Sequence, residues 1–403
     1  MKKLIKSSRI YGEGGLMDGA ILVEGGKIAS LFQRDAIPDV DAQVFDYGDS
    51  RIIPGIIDLH VHGFKGWAAK TLDKEEVKNM ARALPSVGVT AFQPTNSAWD
   101  YQVENNAAIA DAMEEGYEGA RMLGIHMEGP FYNVKRHGGT AAKDVKPCSL
   151  ELMKQFWDAG RGHVTYMTIA CEVPGADEVI DFCLERGMIL GMGHSDATYA
   201  EAMHAFNKGV KVGIHSFNAM RPIHQREVSL YGAVLLDNRV YNELIPDFYH
   251  VCPEMIQILL RMKPTHKILL MSDSDAMSAM RPGKYNIKGV INISEKNGLM
   301  HLEDGTINSS SKYVLYGIGN LVEKLGVSME DAIQMASRTP AELMGIQRHK
   351  GSILPTKDAD LAVIDDEYES IATFVECELA YDKATSPDLT NPKMYDLLIE
   401  AFD

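Results

Sequence analysis

The chain has 403 residues, of which 45% are hydrophobic and 24% charged, and this is the composition of an ordinary globular protein. A formal net charge of −16 argues against a nucleic-acid surface, although a small anionic substrate needs only a local basic pocket. Five scattered cysteines without a Cys-x-x-Cys pair argue against a disulfide framework. We find neither an apolar run long enough to span a membrane nor the apolar core of a signal peptide, so we expect a cytoplasmic protein without a membrane partner.

A small β unit is predicted at the start of the chain. Residues 20–28 read as strand, glycine turn and strand, and residues 44–48 read as another strand that ends in a turn. No helical period occurs in this segment. We therefore assign residues 1–53 to a small β domain.

From residue 54 onward, strands and helices alternate. Eight apolar segments read as strands, namely the one that contains His60 and then 87–95, 121–126, 164–170, 188–193, 212–215, 241–245 and 268–271. Segments with the helical period lie between most of them, at 71–84, 100–115, 149–159, 176–186, 198–208 and 253–262. This alternation predicts a (β/α)8 TIM barrel, an α/β fold whose active site lies at the C-terminal ends of the strands.

The last part of the chain returns to β structure. We expect a strand–turn–strand insertion over the barrel mouth at 285–302, and helices at 313–325 and 329–344. Strand patterns then follow at 351–355, 360–365 and 371–380. We expect this tail to pair with the first strands, which divides the chain into 1–53, a barrel at 54–349, and 350–403 as the second half of the small β domain.

Histidines and carboxylates gather where the predicted strands end. Five of the eight strands end in such residues, which are His60 and His62, His126 and Glu128, His194 and Asp196, His215, and Asp273 and Asp275. Barrel geometry directs these side chains at one cavity, and imidazole with carboxylate is the ligand set of Zn²⁺ or Fe²⁺. Each residue alone could be a satisfied polar group or a helix cap, and Asp196 and Asp275 fit that interpretation. His250, after strand seven, is either a substrate contact or a structural residue.

Such a site suits the hydrolysis of an amide or a related C–N bond. The chemistry needs a metal-bound water with a lowered pKa and a carboxylate that moves the proton. Asp273 is the candidate general base, and Glu128 could bridge two metal ions. No Ser/His or Cys/His nucleophile arrangement competes with this interpretation.

Four motifs resemble the amidohydrolase superfamily and, within it, the N-acetylglucosamine-6-phosphate deacetylase family. They are Pro54-Gly55-Ile56-Ile57-Asp58-Leu59-His60-Val61-His62-Gly63, His126-Met127-Glu128-Gly129-Pro130-Phe131, Gly193-His194-Ser195-Asp196-Ala197-Thr198 and His215-Ser216-Phe217-Asn218-Ala219-Met220. The resemblance covers nearly the whole chain. It implies a metal-dependent hydrolase barrel with a small β-sandwich built from both termini, and a homodimer.

The resemblance also implies a role for each matching residue. Glu128, His194 and His215 would hold the principal metal ion, while His60 and His62, together with Glu128 and Asp273, would hold a second. The ions are expected to be Zn²⁺, with Fe²⁺ as the alternative, and one or two per chain. Substrate contacts would come from Asn218, Ala219, Arg226, His250, Ile307, Asn308 and Ser309. Arg226 suits a phosphate because its guanidinium offers forked donors.

Three substrate-facing loops depart from the family. Segment 137–143 lacks the family's substrate histidine, Phe248 replaces a glycine, and residues 307–310 replace a Leu-Ala-Gly-Ser loop. The expected reaction is deacetylation of N-acetylglucosamine 6-phosphate to glucosamine 6-phosphate and acetate in amino-sugar catabolism. The loops leave N-acetylgalactosamine 6-phosphate or another N-acyl compound as alternative substrates. A non-catalytic scaffold on the same fold is a further alternative, against which the complete ligand set argues.

Overall fold

A computed structural model describes residues 2–287 and 289–402 of the chain. Its first five strands precede the barrel, and they are β1 (Lys3–Gly12), β2 (Gly15–Glu24), β3 (Lys27–Gln33), β4 (Gln43–Asp46) and β5 (Arg51–Pro54). The expected turn at Gly25 and Gly26 joins β2 to β3, and both glycines adopt positive φ values of 59° and 81°. Only glycine adopts this backbone freely, and the two-glycine turn therefore fixes the hairpin.

The predicted barrel is confirmed. Its strands, with a two-strand ribbon between the first and second, are β6 (Ile56–Val61), the ribbon β7 (Gly63–Phe64) and β8 (Trp67–Ala68), then β9 (Val89–Ser97), β10 (Arg121–Met122), β11 (Ile125–Glu128), β12 (Val164–Ile169), β13 (Ile189–Met192), β14 (Val212–Gly213), β15 (Tyr241–Leu244) and β16 (Ile268–Leu270). All neighbouring barrel strands pair in parallel, in the order β6-β9-β11-β12-β13-β14-β15-β16. Hydrogen bonds from the Asp273 amide to the His60 carbonyl and from the His62 amide to the Ser274 carbonyl join the last strand to the first.

The third predicted strand, 121–126, is broken into β10 and β11. Gly124 lies at the break with a φ of 129°, and a side chain there would clash with Thr165 of the next strand. The Thr165 side chain thus fills the space that a Cβ would take, which requires glycine at the position where the strand is interrupted.

Ten α-helices occur among the described residues. They are α1 (Lys74–Ala83), α2 (Gln102–Glu115), α3 (Leu150–Ala159), α4 (Ala176–Glu185), α5 (Tyr199–Lys208), α6 (Ser229–Leu236), α7 (Pro253–Met262), α8 (Val314–Gly319), α9 (Met329–Ile333) and α10 (Thr339–Leu343). Side-chain caps begin several of them, as Asp73 does for α1 and Ser149 for α3. Helix α6 was not predicted, because its residues are mostly apolar on both its buried and its exposed sides, so it lacks the amphipathic period. Among the described residues, no helix combines the length and apolarity needed to cross a membrane.

The strands after the barrel divide between two sheets. They are β17 (Gly283–Ile287), β18 (Val290–Ser294), β19 (Leu299–Leu302), β20 (Ile307–Ser310), β21 (Leu361–Ile364), β22 (Ser370–Val375), β23 (Glu378–Asp382) and β24 (Leu398–Ala401). Strands β21 to β23 extend the sheet of β1 to β5, as the sequence predicts for the tail. Two expectations need correction. The single strand–turn–strand insertion is a five-stranded sheet that β24 joins at its edge, and segment 351–355 is not a strand.

Candidate metal centre

All six predicted ligands lie at the C-terminal ends of the barrel strands. His60 belongs to β6, His62 follows β6 directly, and Glu128 ends β11. His194, His215 and Asp273 lie just beyond β13, β14 and β16, and each adopts a positive φ, of 50°, 31° and 51°. Non-glycine residues rarely take this conformation, and such strain is concentrated at functional sites.

Glu128, His194 and His215 form one group of donor atoms. The Oε1 atom of Glu128 lies 3.1 Å from His194 Nε2 and 3.2 Å from His215 Nε2. The two histidine Nε2 atoms lie 3.1 Å apart. All three residues are buried, so these donor atoms enclose one position that a metal ion could occupy.

His60, His62 and Asp273 form a second group next to the first. His62 Nε2 lies 3.2 Å from Asp273 Oδ1 and 3.2 Å from His60 Nε2. The other carboxylate oxygen of Glu128, Oε2, lies 3.4 Å from His62 Nε2. Glu128 Oε1 also lies 3.5 Å from His60 Nε2, so this carboxylate faces both groups and can bridge two ions.

The hydrogen bonds of the histidines show that these positions suit a cation. His194 Nδ1 lies 2.9 Å from the Arg136 carbonyl oxygen, and His215 Nδ1 lies 3.2 Å from the Asn218 carbonyl oxygen. Because a carbonyl oxygen only accepts, each Nδ1 carries the proton and each Nε2 presents a lone pair. Two lone pairs that face each other at 3.1 Å repel unless a cation lies between them. The donors therefore fit a divalent metal ion such as Zn²⁺ or Fe²⁺.

The pKa values of the cluster indicate the same need for positive charge. Burial acts to lower the pKa of His60, but the carboxylates of Asp273 and Glu128 outweigh it and hold that pKa well above its ordinary value. Burial acts to raise the pKa of Glu128, yet the neighbouring histidines hold it well below its ordinary range. Without metal, His60 would have to carry the charge that an ion otherwise supplies.

Two buried residues behind the ligands were not predicted as part of the site. The Tyr132 ring stacks on His194 with centroids 4.1 Å apart, and its hydroxyl donates to the Glu128 carbonyl at 2.6 Å. Glu243 on β15 contacts His60. The sequence signal for Glu243 was a carboxylate inside an apolar strand, and Tyr132 gave no comparable signal.

Asp196 and Asp275 take the structural roles that the sequence left open. Arg136 Nη2 pairs with Asp196 Oδ1 at 2.7 Å, which ties down the loop whose carbonyl holds His194. Asp275 accepts a hydrogen bond from the Met277 amide at 2.7 Å, and burial raises the pKa of Asp275 to about 6.

Some predicted substrate residues lie beside the cluster. The Asn218 carbonyl holds His215, Ala219 follows it, and the hydroxyl of Ser309 donates to the Asp273 carbonyl. Asn308 Nδ2 donates to Asn292 at 2.8 Å.

The remaining predicted substrate residues are His250, which contacts Asp247, and the exposed residues Ile307 and Arg226. His250 Nδ1 lies 2.8 Å from Asp247 Oδ2, which also accepts from Ser310. Ile307 is exposed, and Arg226 is exposed in a turn closed by hydrogen bonds between His224 and Glu227. The single chain therefore leaves the Arg226 guanidinium in solvent.

The loops that depart from the family differ in their positions. A Cβ on Gly138 would lie 3.2 Å from His194 Cε1, and a Cβ on Gly139 would lie 3.1 Å from Asn308 Cβ, so segment 137–143 lies against the cluster. Phe248 instead packs against the apolar core, with Lys324 Nζ 5.3 Å from its ring centroid. Its bulk is accommodated by the core.

Comparisons with known proteins agree with this architecture. The profile described as "Amidohydrolase family" matches residues 51–386. An N-acetylglucosamine-6-phosphate deacetylase of Vibrio furnissii is 30% identical over 94% of both chains. An N-acetylgalactosamine-6-phosphate deacetylase of Escherichia coli O157:H7 is 26% identical and covers 94% of this chain and 100% of its own.

The crystal structure of an N-acetylglucosamine-6-phosphate deacetylase from Pasteurella multocida superposes with a TM-score of 0.87 at 26% identity, over 94% of this chain and 99% of that one. The profile match, the extent of the alignments and the superposition all indicate the same family. The chain belongs to the amidohydrolase family, in its N-acetylglucosamine-6-phosphate deacetylase branch.

Proposed function

We propose that this chain is a metal-dependent deacetylase that hydrolyses the N-acetyl group of N-acetylglucosamine 6-phosphate, releasing acetate and glucosamine 6-phosphate in amino-sugar catabolism. One observation carries the proposal: two groups of metal-ligand atoms share Glu128 at the mouth of the barrel. The activity named for the relatives supports the choice of substrate.

Each ligand has a part in this proposal. Glu128, His194 and His215 hold the principal ion, and His60, His62, Glu128 and Asp273 hold the second. A bound metal ion lowers the pKa of water and polarises the acetyl carbonyl. Zn²⁺ is our first choice and Fe²⁺ our second, because nitrogen and carboxylate donors suit both ions.

Asp273 moves the proton. Its Oδ1 atom, 3.2 Å from His62 Nε2, lies at the edge of the ligand cluster. It takes a proton from the attacking water and delivers it to the amide nitrogen, so that the nitrogen leaves as an amine. Acetate then carries the oxygen that the water supplied.

Seven further residues form the substrate site in this proposal. The phosphate is bound by Arg226 and His250, and the sugar by Asn218, Ala219, Ile307, Asn308 and Ser309. The proposal includes a homodimer in the cytoplasm, and a division of the chain into 1–53, 54–349 and 350–403.

A second substrate, N-acetylgalactosamine 6-phosphate, is favoured by one observation. Segment 137–143 lies against His194 and Asn308, so its departure from the family alters the wall of the site itself. The relative from Escherichia coli carries that substrate in its name.

A substrate panel tests the proposal. Metal-loaded protein is incubated with both N-acetylhexosamine 6-phosphates and with unphosphorylated N-acetylglucosamine, and acetate is assayed. We expect the fastest release from N-acetylglucosamine 6-phosphate. Faster release from the galactosamine compound would reassign the substrate, and no release at all, with no metal in the native protein, would favour a non-catalytic scaffold.

A further inference from the structure

Glu243, on strand β15, places a carboxylate beside the metal centre, and the proposed mechanism assigns it no role. Glu243 is fully buried, and its Oε1 atom accepts a hydrogen bond from the Tyr166 hydroxyl at 2.7 Å. Its Oε2 atom lies 3.2 Å from the His215 backbone nitrogen and 3.2 Å from His60 Nδ1. A buried carboxylate is costly unless such partners surround it, so its retention here requires an explanation.

The contacts of Glu243 fix the tautomer of His60. An amide N–H only donates, so the Oε2 atom that it meets is an acceptor. The Nδ1 atom of His60, which meets the same oxygen, therefore carries its proton. When the ring is neutral, its lone pair then lies on Nε2, which is 3.2 Å from His62 Nε2 and 3.5 Å from Asp273 Oδ1. This is the form of histidine that binds metal at the second group.

His60 differs from His194 and His215 in how its ring is held. The rings of His194 and His215 are oriented by backbone carbonyls, which no substitution removes. The ring of His60 depends on a side chain, Glu243. Packing completes the support, because His126 meets His60 edge-on at 4.6 Å between ring centroids.

We propose that Glu243 is a positioning residue that sets the affinity of the second metal ion by holding the Nδ1–H tautomer of His60. It adds a negative charge beside that ion without occupying a coordination position, which increases the basicity of His60. The inference rests on the proposed metal centre but not on the identity of the substrate.

Metal titration of three variants tests this role. Metal-free protein is titrated with Zn²⁺ against a competing chelator, and bound ions are counted by mass spectrometry. Glu243→Leu removes the acceptor, Glu243→Gln keeps an acceptor without the charge, and Asn242→Leu is the matched control. Asn242 is buried on the same strand and contacts Ser216 rather than His60.

We expect the wild type and Asn242→Leu to bind two ions. Glu243→Leu should lose about 10- to 100-fold in the second affinity, with Glu243→Gln in between. The loss in the first affinity should be smaller, because there Glu243 contacts only the backbone nitrogen of His215 and not its ring. An unchanged second affinity in Glu243→Leu, or equal losses at both sites, would overturn the proposal, as would a wild type that binds one ion. If Glu243→Leu does not fold, Glu243→Gln decides, because an unchanged second affinity there also contradicts the proposal. Acetate release plays no part in these readouts, so an error in the substrate does not affect them.

Discussion

Buried charges occur at both ends of the barrel strands, and the two groups are neutralised in different ways. Before β6, the Gly55 amide donates to the Asp360 carbonyl, and Lys350 Nζ lies 2.7 Å from Asp360 Oδ2 and 3.2 Å from Asp358 Oδ2. Beyond β6 and β11, the carboxylates of Glu128 and Asp273 face histidine nitrogens instead. The cluster around Lys350 contains its own cation, whereas the metal centre presents lone pairs to a cation that must bind from solution.

The pKa shifts reflect this difference. Burial acts to lower the pKa of Lys350, but Asp360 outweighs it and raises that pKa, so the ammonium charge is permanent. Histidine has no permanent charge, and it serves as a ligand only when Nε2 is unprotonated. A buried carboxylate paired with lysine therefore indicates a structural role, whereas one paired with several histidines indicates a metal site.

Removal of metal should have the largest effect on activity. It should act at the metal centre and leave the cluster around Lys350 unchanged. After dialysis against a chelator we expect acetate release to be abolished and then restored by Zn²⁺. We also expect Tm to fall on removal, since an ion present at 100 times its Kd stabilises the native state by about 2.7 kcal/mol. Full activity in protein shown to be metal-free would contradict the metal centre.

Asp273→Asn should be the most damaging single substitution for turnover. Asparagine keeps an oxygen near His62 but cannot take a proton, so we expect most metal to remain and kcat to fall about 10²- to 10⁴-fold. Metal content and acetate release are measured on the same sample. Wild-type turnover would exclude Asp273 as the base.

Lys350→Met tests the other end of the barrel. It leaves the buried Asp360 carboxylate without its cation, so we expect a loss of about 3–5 kcal/mol in the free energy of unfolding. Denaturant unfolding measures this loss, and Lys350→Met/Asp360→Asn should recover part of it. The folded fraction should keep its metal and its turnover, and loss of bound metal would show that the two ends are coupled.

The sequence predicted the barrel and placed all six candidate ligands at its strand ends, because both depend on local patterns. Strand period, helix period and the residue type at each strand end are visible within short windows. Strand β24 was not predicted to join the sheet of β17 to β20, because its partner β17 lies far away in sequence and nothing local encodes that pairing. Glu243 was missed because its role depends on His60, which only the closed barrel brings within 3.2 Å.

Substitution of both histidines of the second group should have a smaller effect than loss of the base. His60→Asn/His62→Asn removes two donors from the second group and leaves Glu128, His194 and His215 in place. We therefore expect one bound ion instead of two, and reduced but measurable acetate release. Loss of both ions would show that Glu128 cannot hold the principal ion without the second group.

Arg121→Gln should have the smallest effect. It tests whether the stabilising ion pairs of the cluster around Lys350 extend to the protein surface. Arg121 Nη2 lies 2.8 Å from Glu376 Oε2, and the two side chains are 35% and 38% exposed. Solvent screens such a pair, so we expect a loss below about 1 kcal/mol in the free energy of unfolding, measured by denaturant titration. Glu376 also lies 3.4 Å from Lys350, which keeps a cation beside it when Arg121 is gone. A loss comparable to that of Lys350→Met would mean that the surface pair of Arg121 and Glu376 stabilises the fold as strongly as the buried pair of Lys350 and Asp360. Burial would then not explain which ion pairs of this cluster are strong.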